Sequence, residues 1–227
     1  MKEQEKNVEQ TVIFGDAIWS QDLDSIDNES LIDYAYTLYE QQSSVKKSNR
    51  LGFQSPSLPT NPDVVDSRFK PLISEVVSFA QSICYDVLYK DPDKSKLTFG
   101  VDAWVNINPK YAYNQPHIHG GNTLLSIVYY AQTPDNCGQF YLTREDSRVD
   151  LISRFKIDNF LPLAPQLYFT PKEGKLLAFP GWVTHGVGQN TSDEDRISFA
   201  FNINLFTEQN SMNNEQTKND NVNTYAY

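Results

Sequence analysis

R-I-S-F-A-F-N-I-N-L, residues 196–205, alternates without a break. Ile197, Phe199, Phe201, Ile203 and Leu205 fall on one side of an extended chain. Arg196, Ser198, Ala200, Asn202 and Asn204 fall on the other. A period of two is the signature of a strand with one apolar face in a core. The second face is small and polar, which alternation commonly gives to a strand facing water. An arginine and a hydroxyl two residues apart on that face are equally suited to gripping a carboxylate, because the guanidinium offers a planar fork of donors.

Working back from this strand, the region after Asp93 is a series of short β-rich runs: L-T-F-G-V-D-A-W-V-N-I, L-L-S-I-V-Y-Y-A, Q-F-Y-L-T, L-Y-F-T and K-L-L-A-F-P. Turn chemistry separates them, in N-P-K, P-D-N-C-G, P-K-E-G-K and N-T-S-D-E-D. Before Asp93 the period is helical. Asn28 or Ser30 can cap a first helix whose apolar face is Leu31, Ile32, Ala35, Leu38 and Tyr39. A second helix is expected near 69–90, its stripe running from Leu72 and Ile73 through Cys84 to Val87 and Leu88. Cys84, lying on that stripe, reads as a buried structural thiol. V-I-F-G-D-A-I-W, 12–19, reads as an opening strand. Two helices followed by closely spaced strands predict an α+β protein, a sandwich or jelly roll with helices packed on one sheet.

One domain is expected over 11–207, with a helical part at about 28–90 and a β core at about 96–206. Residues 1–10 carry little to bury, and 208–227 are polar and Asn-rich, so both read as disordered tails. A net charge of −10 disfavours nucleic acid and anionic membranes as partners. No run approaches about 18 apolar residues. Cys84 and Cys137 form no paired framework, which points to a reducing, cytoplasmic setting.

The chain has three histidines. His117 and His119 stand one residue apart in N-Q-P-H-I-H-G-G, and His185 lies in F-P-G-W-V-T-H-G-V-G. On a strand, residues i and i+2 share a face, so His117 and His119 can aim at one point while a neighbouring strand brings His185. Three imidazoles suit Fe, Zn or Cu and leave coordination positions free. Tyr111, Tyr113, Asn114 and Gln115 precede the pair on an expected mouth loop, where they either contact substrate or form a turn.

These features together resemble the Fe(II)/2-oxoglutarate-dependent oxygenases of the double-stranded β-helix fold, in a branch found in bacteria and phages. The resemblance runs from about Phe14 to Phe206. It is carried by S-N-R-L-G-F-Q-S (48–55), W-V-N-I-N (104–108), N-Q-P-H-I-H (114–119), S-I-V-Y-Y (126–130), E-G-K-L-L-A-F-P-G-W-V-T-H-G-V (173–187) and R-I-S-F-A-F-N (196–202). It implies that His117, His119 and His185 are the iron ligands. It further implies that Arg196, Ser198 and Tyr130 hold the distal carboxylate of 2-oxoglutarate. The activity implied is oxidation of a substrate C–H bond with O2, releasing succinate and CO2; the substrate, a small molecule or a protein side chain, is left open.

The usual ligand pattern is H-x-D/E…H, and His119 stands at its carboxylate position. Asp102 is a candidate to supply that carboxylate, although a structural role suits it better. Two other readings use the same architecture. One is a three-histidine cupin dioxygenase without 2-oxoglutarate, which Gly174, Pro180 and His185 partly fit. Trp182 breaks its second motif, and Thr123 or Leu124 stands where its first needs Glu. The other is a non-catalytic jelly-roll protein.

Overall fold

The computed structural model describes residues 16–84, 98–144, 166–206 and 223–225. In chain order they form β1 (Trp19–Asp22), α1 (Asn28–Gln41), β2 (Asn49–Arg50), β3 (Phe53–Gln54), α2 (Lys70–Gln81), β4 (Thr98–Asn108), β5 (Tyr113–His117) and β6 (Thr123–Gln132). There follow β7 (Phe140–Thr143), β8 (Gln166–Phe169), β9 (Lys175–Pro180), β10 (Thr184–Val187), β11 (Arg196–Phe206) and β12 (Asn223–Tyr225). The larger sheet has the order β1-β9-β6-β11-β4, and both β3 and β12 pair along the outer edge of β4. The smaller sheet runs β2-β5-β10-β7-β8. From β4 to β11 the chain visits the larger and smaller sheets in the order large, small, large, small, small, large, small, large. All pairings are antiparallel. This is the α+β jelly roll, a double-stranded β-helix, that the turn-punctuated runs predict.

The two helices cover the outside of the larger sheet. Leu31, Tyr34, Ala35 and Leu38 of α1 and Leu72, Ile73, Val76 and Ala80 of α2 pack on Val101, Ala103 and Val105 of β4, Leu125 and Ile127 of β6, and Ile197, Phe199, Phe201 and Ile203 of β11. Phe69, just before α2, is fully buried at the centre of this layer. Its ring lies 5.3 Å from Phe199, 6.0 Å from Phe201 and 5.7 Å from Tyr34. No helix among the described residues is long and apolar enough to cross a membrane.

Several local expectations differ from the structure. The first strand begins at Trp19; residues 12–15 of the expected run lie outside the described residues, and 16–18 form no strand. The cap of α1 is Asp27, whose carboxylate accepts from the Ser30 N–H at 3.1 Å; Asn28 and Ser30 are already helical. Tyr34 replaces Tyr39 in the core, because residues 31, 34, 35 and 38 complete the buried stripe. Tyr39 is 56% exposed and sets only its ring against the edge of Phe53. The α2 helix ends at Gln81 and passes into a wider turn through Cys84. Val87 and Leu88 lie outside the described residues. Burial pushes the Cys84 thiol up to about 12, as an inert core cysteine requires. Within the segment expected as a C-terminal tail, Asn223–Tyr225 is a strand against Val101, Gly100 and Phe99 of β4. The rest of both expected tails lies outside the described residues.

Phe69→Ala removes the ring that joins α1, α2 and β11, and should lower the free energy of unfolding by about 3–5 kcal/mol in a chemical denaturation experiment.

Candidate active site

The apolar face of β11 is taken by the helices, so its polar face looks into the space between the two sheets. Arg196, Ser198 and Ala200 line a cavity of about 60 Å3 there, together with Tyr130, His117, His119 and His185. The face that alternation alone would give to water is therefore interior. Arg196 is 1% exposed.

His117 is the last residue of β5 and pairs across the sheet with His185 of β10. His119 lies beyond the strand end. Its backbone N–H donates to the Gly181 carbonyl at 2.9 Å, which turns the loop back over the site. Same-face alternation thus holds for His117, and a loop contact does the rest. The ring centroids are 4.3 Å apart for His117–His185 and 5.1 Å for each of the other two pairs. One ligand-type atom from each histidine lies within 4.8 Å of the others.

Protonation suits a cation. Nδ1 of His117 is 2.8 Å from the Gln115 carbonyl, and Nδ1 of His185 is 3.0 Å from the Val183 carbonyl. A carbonyl only accepts, so each Nδ1 carries the proton and each Nε2 keeps a free lone pair. Nδ1 of His119 lies 3.2 Å from Asn202 Nδ2, while Ser126 Oγ donates to Asn202 Oδ1 at 3.2 Å. Turning that amide over would let a His119 Nδ1–H donate to Oδ1 and free its Nε2 for a metal. Burial lowers all three imidazoles, His119 to about 4 and His185 to about 3. At neutral pH they are uncharged nitrogen donors, and this donor set fits a divalent metal.

On the opposite side of the cavity, Arg196 donates from Nη1 to the Cys137 carbonyl at 3.0 Å and from Nη2 to Asn114 Oδ1 at a longer 3.4 Å. No carboxylate among the described residues pairs with it. Tyr130, 2% exposed, lies close enough for the charges to interact, and burial pushes its hydroxyl well above the ordinary phenol value.

Residues 102–202, which span the β core from β4 to β11, match a family model described as "Putative 2OG-Fe(II) oxygenase". This segment is a 2OG-Fe(II) oxygenase domain. Among the readings that the sequence left open, the match over this segment favours an oxidoreductase of the class that uses Fe(II), 2-oxoglutarate and O2. No curated protein matches the chain by sequence.

Solved structures of similar shape include a prolyl-4-hydroxylase from Pseudomonas putida, with TM-score 0.54 and 12% identity, covering 82% of this chain and 91% of that one. A prolyl hydroxylase from Trichoplax adhaerens, in complex with a hypoxia inducible factor oxygen degradation domain peptide fragment, has TM-score 0.54 and 14% identity, covering 86% of each chain. A viral collagen prolyl hydroxylase from Paramecium Bursaria Chlorella virus-1 has TM-score 0.51 and 13% identity, covering 82% of this chain and 94% of that one. At these identities the likeness is one of fold.

Other residues of the oxygenase domain are placed differently from expectation. Asn114 is buried rather than on a mouth loop, where it accepts from Asn108 Nδ2 at 3.1 Å and from Arg196. Tyr111 is exposed in a left-handed turn with φ of 71°, and Gln115 lines a wider outer pocket. Asp102 lies outside the histidine cluster and accepts from Asn204 Nδ2 at 3.0 Å, in keeping with a structural role. Neither the Asn202–His119 nor the Asn114–Arg196 partnership is legible in the sequence, since each joins residues more than 80 positions apart.

The carbonyl that Arg196 needs depends on one glycine. Gly138 has φ of 85°, and a Cβ there would come within 2.2 Å of the Gly188 carbonyl oxygen. Gly138→Ala should therefore cost roughly 2–4 kcal/mol of stability, read by thermal or chemical denaturation of the protein.

Proposed function

We propose that the chain is an Fe(II)- and 2-oxoglutarate-dependent dioxygenase in which His117, His119 and His185 hold the iron. In this reading Arg196, Ser198 and Tyr130 hold the distal carboxylate of 2-oxoglutarate. The observation that carries the assignment is Arg196. It is a buried guanidinium with no protein carboxylate beside it, on the wall of the cavity that holds the histidines. A buried charge left without a counter-charge is costly, and a bound carboxylate relieves that cost.

When bound, Fe(II) supplies the redox chemistry that couples decarboxylation of 2-oxoglutarate by O2 to insertion of an oxygen atom into a substrate C–H bond, with succinate and CO2 released. The residues of the chain bind and orient. The Nδ1–H groups of His117 and His185, held by backbone carbonyls, keep each Nε2 turned to the centre. Arg196 supplies the fork, while the hydroxyls of Ser198 and Tyr130 donate to the same carboxylate. Tyr130 stays protonated throughout the working range because burial raises it. Phe140 and Phe179 line the cavity beside His185 and exclude water from that side. Both cysteines are buried and free, which supports work in the reducing cytoplasm.

Anaerobic titration of the Fe(II) protein with 2-oxoglutarate should develop a visible metal-to-ligand charge-transfer band. Absence of that band at saturating 2-oxoglutarate would refute the proposal. Arg196→Ala should weaken 2-oxoglutarate by roughly one to three orders of magnitude in calorimetry, because losing one member of a buried charge pair costs about 2–5 kcal/mol. Arg196→Lys should recover part of this loss. His185→Ala should abolish iron binding while the far-UV spectrum is retained.

Asn202→Leu deprives His119 of its hydrogen-bonding partner. It should lower iron affinity by about 10–100-fold, measured by competition with a chelator, while leaving the intrinsic 2-oxoglutarate contacts in place.

A further inference from the structure

Beside the histidines a second pocket of about 590 Å3 opens to the outside, with His117 and His119 on its inner wall and Trp104, Lys47, Asp102 and Gln54 among its other sides. A molecule seated there faces the reacting centre. Gln54 is the anomaly in this pocket. It pairs opposite Asn106 in the β3–β4 ladder, so its side chain takes the inward side of the sheet. It is 3% exposed, and its Oε1 is buried without a partner.

The backbone of Gln54 is fully used. Its N–H donates to Ser44 Oγ at 3.1 Å, and its carbonyl accepts from the Val45 N–H at 2.9 Å. Among the described residues the side-chain amide has no hydrogen-bonding partner, whereas buried polar side chains are almost always paired. The other buried acceptor without a partner, Asn49 Oδ1, does not line this pocket, and the Asn49 amide already donates to Phe53, Asn106 and Asn108.

Charge narrows the class of ligand. Lys47 and Asp102 contribute one charge of each sign, and neither is in an ion pair among the described residues. These two charges offset each other, so the side chains around Gln54 favour neither a phosphate nor a polyamine. An amide oxygen beside an amide nitrogen matches the edge of another amide. We infer that this pocket holds the substrate through an amide group read by Gln54, and that Gln54 determines specificity. The substrate class is thus peptides or carboxamides. This rests on the oxygenase reading above.

The test uses the full chain loaded with Fe(II) and saturated with 2-oxoglutarate without O2. The probes are the N-acetyl N-methylamides of the twenty amino acids, the matching N-acetyl methyl esters, and free asparagine and glutamine, all titrated by calorimetry. At least one amide should bind, and its ester counterpart should bind about tenfold more weakly, the equivalent of one neutral hydrogen bond. Gln54→Met should reduce the amide to the level of the ester, and Gln54→Glu, which keeps an acceptor, should restore part of the preference. Affinities for iron and 2-oxoglutarate should stay within about twofold in both variants, which also reports that they fold. Selective binding of capped amides identifies a peptide substrate, and selective binding of free asparagine or glutamine identifies a small carboxamide. Equal binding of amide and ester, an undiminished preference in Gln54→Met, or no binding by any amide overturns the inference. Failure of the wild type to bind iron or 2-oxoglutarate overturns the oxygenase reading instead.

Discussion

Arg196 places a permanent positive charge, almost wholly buried, between two sheets. Burying an unpaired ion costs several kcal/mol even after relaxation. Much of the surrounding architecture serves that charge. The Cys137 carbonyl accepts from it, and the turn presenting that carbonyl is held by Gly188 N–H on Gln139 and Thr191 N–H on Asn136. Asn114 accepts on the other side and is itself fixed by Asn108, whose carbonyl takes a hydrogen bond from Asn190. Two loops and three strands are thus ordered around one guanidinium. None of these partners carries a negative charge, so the compensation is by dipoles and leaves a carboxylate ligand strongly favoured.

The same electrostatic accounting bears on the third histidine. A carboxylate at position 119 would cancel one unit of a metal dication, and neutral His119 cancels none. With iron held as proposed, the cavity would present the metal and Arg196 together with no protein anion in their immediate surroundings. A doubly negative cosubstrate matches that excess better than a neutral one does. The departure from the usual ligand set also changes what steadies the third ligand. His117 and His185 lean on backbone carbonyls, which cannot rotate, whereas His119 depends on the Asn202 amide and through it on Ser126. One ring of the three is held by side chains, and its tautomer follows the orientation of that amide.

Much of this was legible in the sequence, and the failures are as instructive as the successes. K-L-L-A-F-P coincides with β9, a short continuous apolar run buried on both faces, and the apolar series 197, 199, 201 and 203 packs in the helix-covered core because it follows a two-residue period. Alternation could not say whether the opposite face met water or a second sheet. That depends on the return of β5, β7, β8 and β10 over the top, a long-range fact with no local signal. The cap of α1 is Asp27 and neither Asn28 nor Ser30, because three of the four residues in D-N-E-S can cap and it is at Asp27 that the backbone is extended. Gln54 gave no sign of its burial. It sits in a two-residue strand whose partner lies 52 positions later (106 − 54 = 52).

Strand β11 also sets the geometry of the site. Ser198 lies opposite both Asn106 of β4 and Tyr130 of β6, which puts two of the proposed carboxylate donors on neighbouring strands at one level. Asn202 lies opposite Ser126 on the same ladder and reaches His119. The proposed carboxylate clamp and the partner of His119 are therefore spaced by the rise of one strand, about 3.3 Å per residue. The aromatic layer of Phe69, Phe199 and Phe201 fixes the register of β11 from behind, since a slip of one residue would turn those rings inward and the polar row outward. Core packing on one face is thus what gives the chemistry on the other face its spacing.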